Sequence, residues 1–78
     1  MQIDWTNHGR QRALQRGIAE ADVIHVLKNA HTSLPGRPSG TCYIGTTPRG
    51  DTLQVCIVGV LNGEEPIKIK TVFIKGDD

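Results

Sequence analysis

The chain has 78 residues, 37% hydrophobic and 22% charged, with nine lysines and arginines against eight carboxylates for a net charge of +1. That length suits one domain near the lower limit for a core without metal or crosslink, and the composition is that of a folded chain rather than a disordered one. The charge balance excludes a polycationic arm acting through overall charge, no segment approaches the ~20 apolar residues of a membrane span, and MQIDWTNHGR has no apolar signal-like run, so the default expectation is a cytoplasmic protein with no membrane partner.

In chain order, QIDWT (2–6) reads as a short extended lead-in with Trp5 placed to pack on the first helix. Thr6 or Asn7 can cap that helix by accepting a hydrogen bond from an early N–H. It should run from Asn7 to Arg16, with Gly17 ending it in the left-handed conformation and Ile18 folding back. Ala13 and Leu14 form the side expected to dock on a sheet. The second helix should start at Ala19 or Glu20, with Glu20 and Asp22 at its positive end and Lys28 near its negative end. Val23, Ile24 and Leu27, with Val26 and Ala30, give it an apolar stripe that marks a core helix.

SLPGRPSG (33–40) reads as a breaker-rich loop. Three strands are expected after it, over 41–47, 52–61 and 67–75, with turns at 48–51 and 62–66. The last strand alternates, Ile67, Ile69, Thr71 and Phe73 facing one way and Lys68, Lys70, Val72 and Ile74 the other, which sets Thr71 among apolar neighbours. The expected fold is a single α+β domain over 1–78. Two N-terminal helices cover one face of an antiparallel three- to four-stranded sheet, in ααβββ order, a short N-terminal strand being the fourth.

Cys42 and Cys56 lack zinc-ribbon or C-x-x-C spacing, and reduced, strand-borne thiols are the default reading. The alternative depends on register. A five-residue loop from Thr47 to Asp51 sets Cys42 opposite Cys56, with Cβ atoms ~4.5–5.5 Å apart and a disulfide within reach. A four-residue loop removes the pairing.

The first helix holds the one distinctive constellation. His8, Arg12 and Arg16 recur every four residues and span about 80° of helix surface, flanked by Gln11 and Gln15. Solvated helix faces usually mix charge signs, and this one has no carboxylate. Arginine and glutamine offer donors suited to phosphate or carboxylate oxygens. Arg10 is expected along the sheet edge or paired with Glu20 or Asp22. His25 is expected to be partly buried and His31 to cap the second helix. Three scattered histidines without paired carboxylates make no metal site. No phosphate loop, serine elbow or close carboxylate pair is present, and no cofactor is expected.

The pattern His8-x3-Arg12-x3-Arg16-Gly17-Ile18, then Asp22-Val23 and Val26-Leu27, resembles a widespread family of small bacterial domains of unknown function. The resemblance continues through Leu53-Gln54-Val55 and Ile69-Lys70-Thr71-Val72. Members usually cap the second helix with Ser or Thr, where this chain has Ala19. The element order also resembles ribonuclease toxins of the RelE and ParE kind, in the barnase–colicin–RelE group, whose sheets carry metal-independent RNA-cleaving residues. That resemblance implies His8, Arg12, Arg16 and Thr71 as catalytic candidates.

Two functions follow. In the first, a non-catalytic module uses the His8, Arg12 and Arg16 face to bind RNA or an acidic, antitoxin-like protein. In the second, His8 serves as base or acid in RNA cleavage, since an imidazole exchanges protons near neutral pH. Arg12 and Arg16 then stabilise phosphoryl charge and Thr71 orients the phosphate. In either reading, Arg12, Arg16, Arg37, Arg49, Lys68 and Lys70 are the candidate anion contacts. Modest charge and few aromatics for base stacking favour the module.

Overall fold

The structure, a computed structural model, describes residues 1–76. Local capping delimits the helices. Helix α1 spans Asn7–Arg16, and Thr6, in extended conformation, accepts a hydrogen bond from the Gly9 N–H at 2.9 Å. At the other end Gly17 takes φ 65°, its N–H donating to Leu14 O, while the Ile18 N–H donates to Ala13 O at 2.9 Å. This paired closure turns Ile18 back onto the core. Helix α2 spans Glu20–Asn29 behind Ala19, which offers no side-chain cap. Ala19→Ser should therefore raise stability by about 1 kcal/mol, read as a higher urea midpoint at unchanged slope. An unmoved midpoint would show that the α2 start gains nothing from a cap.

The strands are β1 (Ile3–Trp5), β2 (Thr32–Pro35), β3 (Thr41–Thr46), β4 (Thr52–Ile57) and β5 (Ile67–Ile74), in sheet order β1-β5-β4-β3-β2. The fold is α+β as expected, but the sheet is five-stranded and mixed, not antiparallel with three or four strands. Two short edge strands make the difference. β1 pairs in parallel with β5, Ile3 opposite Ile67 and Trp5 opposite Ile69, a long-range pairing that three residues cannot announce. β2 comes from the stretch read as loop, and all four of its residues are exposed. Gly36 N–H bonds to Gly40 O at 3.0 Å. In an antiparallel ladder the outward and inward groups alternate, so Pro35 points its missing N–H away from β3. An edge strand tolerates that proline.

β4 ends at Ile57, short of the expected Leu61. Val58 still donates to Lys68 O, but Val58 and Val60 then lie exposed, and Leu61 returns to give its N–H to the Tyr43 hydroxyl at 3.0 Å. β5 also departs from simple alternation. Cys56 stands opposite Thr71 while Ile57 stands opposite Ile69, so Lys70 is an extra residue, a β-bulge. The bulge shifts the phase by one. Ile67, Ile69 and Val72 face the helices, and Thr71 and Phe73 face the other way, correcting the expected Thr71 placement.

α1 packs chiefly on β5, and α2 on β3 and β4. Their apolar residues, Ala13, Val23, Val26 and Leu27, close over Leu53, Val55, Ile57, Ile67, Ile69 and Val72 to form the core. Cys42 and Cys56 lie on the sheet's other face. The loop between β3 and β4 runs from Thr47 to Asp51, Cys42 is opposite Cys56, and the two are joined as a disulfide. This corrects the reading of reduced thiols and realises the five-residue-loop register.

Candidate functional site

On α1 the side toward β5 is set by glycine and alanine. A Cβ built on Gly9 would lie 2.5 Å from Ile69 O and 3.2 Å from Lys70 O, so only a glycine lets the helix come this near. Ala13 is buried one turn later, whereas Leu14 is 77% exposed and does not dock, contrary to the Ala13–Leu14 expectation. The helical period explains both. Arg16 falls on nearly the same line as Gly9 and Ala13, Arg12 falls beside it, and Leu14 falls on the far side. Arg12 and Arg16 are therefore half-buried, and His8 is exposed. The basic stripe borders the docking line rather than standing opposite it, and the arginine stems can pack while their heads reach water.

Arg12 is the connected member of the stripe. Arg12 Nε donates to His8 Nε2 at 3.4 Å, and Arg12 Nη1 donates to Gln15 Oε1 at 3.3 Å. The ion pairs among the described residues are Arg49–Asp22 at 2.6 Å and Lys68–Asp4 at 3.7 Å, so Arg12 and Arg16 have no carboxylate partner there. Arg10 does not take the expected pairing either. Asp22 is held by Arg49, and Glu20 accepts from Trp5 Nε1 at 3.4 Å. His31 is exposed and does not close α2; the Asn29 amide does, donating to His25 O at 3.0 Å.

The candidate residues thus divide. His8, Arg12 and Arg16 lie together on α1, with His8 and Gln15 each bonded to Arg12. Arg49 is tied to α2. Lys68 and Thr71 lie on the β5 side that faces away from the helices, with Lys70 at the bulge, its Nζ donating to Ser39 O at 2.9 Å. Arg37 stands in the loop after β2, beside the disulfide. Sequence reasoning named Gln15 as a flank but missed its bond to Arg12, which the i, i+3 spacing of the pair could have suggested. Among the described residues, no group of three or more His, Cys, Asp or Glu side chains converges as a metal site. No helix among them is long and apolar enough to cross a membrane.

These features define a small α+β domain with two helices on one face of a mixed sheet and an acid-free basic stripe on the first helix. A family model described as a domain of unknown function, DUF4258, matches residues 5–74. The chain belongs to that family. Neither the curated proteins nor the solved structures compared with it gave a match.

Proposed function

We propose that the chain is a non-catalytic interaction module whose α1 stripe, His8, Arg12 and Arg16, binds anionic groups of an RNA or an acidic protein. The supporting observation is the pair of half-buried arginines, on a helix anchored to β5, without a carboxylate partner among the described residues. A guanidinium already held along its stem loses less freedom when it grips a phosphate or carboxylate. Titration with a single-stranded RNA oligonucleotide and with polyglutamate tests this. Arg12→Ala and Arg16→Ala should each weaken binding about five- to tenfold, roughly 1–1.4 kcal/mol. With RNA, each should also lower the salt slope by about 0.7. If neither polyanion responds to these changes, the reading fails.

One contact favours a second reading, a metal-independent RelE-like ribonuclease toxin. His8 Nε2 lies 3.4 Å from Arg12 Nε, which sets a proton acceptor beside a cation. In that reaction His8 takes the ribose 2′-OH proton, and the freed oxygen attacks the adjacent phosphorus and expels the 5′-oxygen. Arg12 and Arg16 stabilise the phosphoryl charge, and Thr71, on the sheet face away from α1, takes no part. Intact RNA and normal growth on induction of the wild type would remove this reading while leaving the module untouched. RNA loss abolished by His8→Ala and Arg12→Ala would establish it.

A further inference from the structure

Both helices cover one face of the sheet, and the other face has two aligned rows of side chains. Thr32, Ile44, Gln54 and Phe73 form one row across β2, β3, β4 and β5, and Leu34, Cys42, Cys56 and Thr71 form the next. The rows are mainly apolar, with Leu34 40% exposed and Ile44 and Phe73 half-buried. Between them a depression of about 410 Å³ is bounded by Leu34, Arg37, Gln54 and the disulfide. Gln54 is 8% exposed, and its amide nitrogen donates to Cys56 Sγ at 3.7 Å. Its carbonyl oxygen accepts nothing among the described residues, so the depression has a polar group able to fix a ligand's orientation.

The cations beside these rows are Arg37 in the loop after β2, Lys70 at the bulge and Lys68 on β5. The face's one strand-borne carboxylate, Asp4, is already paired with Lys68. Glu20 and Asp22 lie in the first turn of α2, and Glu64 and Glu65 in the loop before β5. An apolar strip with a cationic border complements a segment that is apolar along one side and acidic along its flanks. A second copy would set the same cations against each other. A nucleic acid would find Phe73 as the one aromatic on which a base could stack.

We propose that this uncovered face docks an acidic amphipathic segment of a partner protein. An apolar side chain of the segment enters the depression beside Leu34 and the disulfide, and its carboxylates meet Arg37 and Lys70. The surface is separate from the α1 stripe and does not depend on it.

The test titrates the isotope-labelled full chain with three probes while amide shifts are followed. The probes are a synthetic acidic amphipathic peptide of Leu and Glu, its basic counterpart with Lys for Glu, and a single-stranded oligouridine. The acidic peptide should give saturable shifts at Leu34, Ile44, Gln54 and Phe73. Leu34→Glu and Arg37→Glu, both at exposed positions and expected to melt as the wild type, should each weaken the response of these rows about tenfold, and Arg12→Ala should leave the shifts at these rows unchanged. Absence of saturable shifts, an equal response to the basic peptide, or oligouridine moving the same two rows would overturn the proposal. Sedimentation as a dimer that protects these rows would overturn it as well.

Discussion

Gly9→Ala is expected to lower the unfolding free energy by about 2 kcal/mol, although alanine is the better helix former. In an exposed helix the exchange would gain about 1 kcal/mol of propensity. Here the added Cβ would stand 2.5 Å from Ile69 O and 3.2 Å from Lys70 O. Those carbonyls cannot withdraw freely. Ile69 O accepts the Thr6 N–H at 3.0 Å, and Lys70 O accepts the Thr6 hydroxyl at 3.1 Å. Relief requires α1 to move off β5, which opens Ala13 and loosens Thr6, the residue that also caps the helix. Overpacking costs about 1–3 kcal/mol and each lost hydrogen bond about 1 kcal/mol, which outweighs the propensity gain. Thermal unfolding should show a midpoint about 10 °C lower. Gln11→Ala, on the exposed side of the same helix, should stay within about 0.5 kcal/mol. A Gly9→Ala protein as stable as the wild type would mean that α1 does not sit this close to the sheet. The same variant should weaken polyanion binding, because His8, Arg12 and Arg16 move with the helix.

Gly9 also shows how far the sequence can be read. Helix ends depend on local chemistry, so Thr6, Gly17 and Ile18 announce α1 without help from the rest of the chain. The i, i+4 spacing of His8, Arg12 and Arg16 likewise places them on one stripe. Which side of that stripe meets the sheet depends on the partner surface. Leu14 is the larger apolar residue, yet Gly9 and Ala13 dock, because closeness to the β5 backbone matters more than side-chain size there. Edge strands are hard to read for a related reason. β1 and β2 bury little of their own, and their pairings depend on strands distant in sequence or on a turn. The β5 bulge left a trace that single-phase alternation passes over. Ile67 and Ile69 keep one phase, and Val72 and Ile74 keep the other. Two out-of-phase runs in one strand signal an extra residue between them, and here that residue is Lys70. This slip of one position takes Thr71 out of the helix-covered face and into the row that contains the disulfide.

Removing the Cys42–Cys56 crosslink should have a larger effect still, about 3 kcal/mol. The two cysteines are 14 positions apart and close the β3–β4 hairpin around the Thr47–Asp51 turn. In the chain-entropy account, opening a loop of about 15 residues returns about 3 kcal/mol of freedom to the unfolded chain. A domain of this size has only a small core with which to absorb that loss. Cys42 and Cys56 are 5% and 6% exposed, so reductant added to the folded protein will act slowly. The comparison should therefore use protein unfolded and refolded with and without reductant, together with a Cys42→Ala, Cys56→Ala double variant. Both altered forms should melt about 10–20 °C lower than the oxidised chain. An unmodified mass with two free thiols, or a shift below about 3 °C on reduction, would show that the hairpin is held by its ladder and turn alone. The helix-covered face does not use the sulfurs, so polyanion binding by α1 should survive in whatever fraction stays folded. Binding of the acidic amphipathic peptide should fall even there, because the disulfide bounds the depression that receives its apolar side chain. This difference between the two ligands separates loss of global stability from loss of one surface.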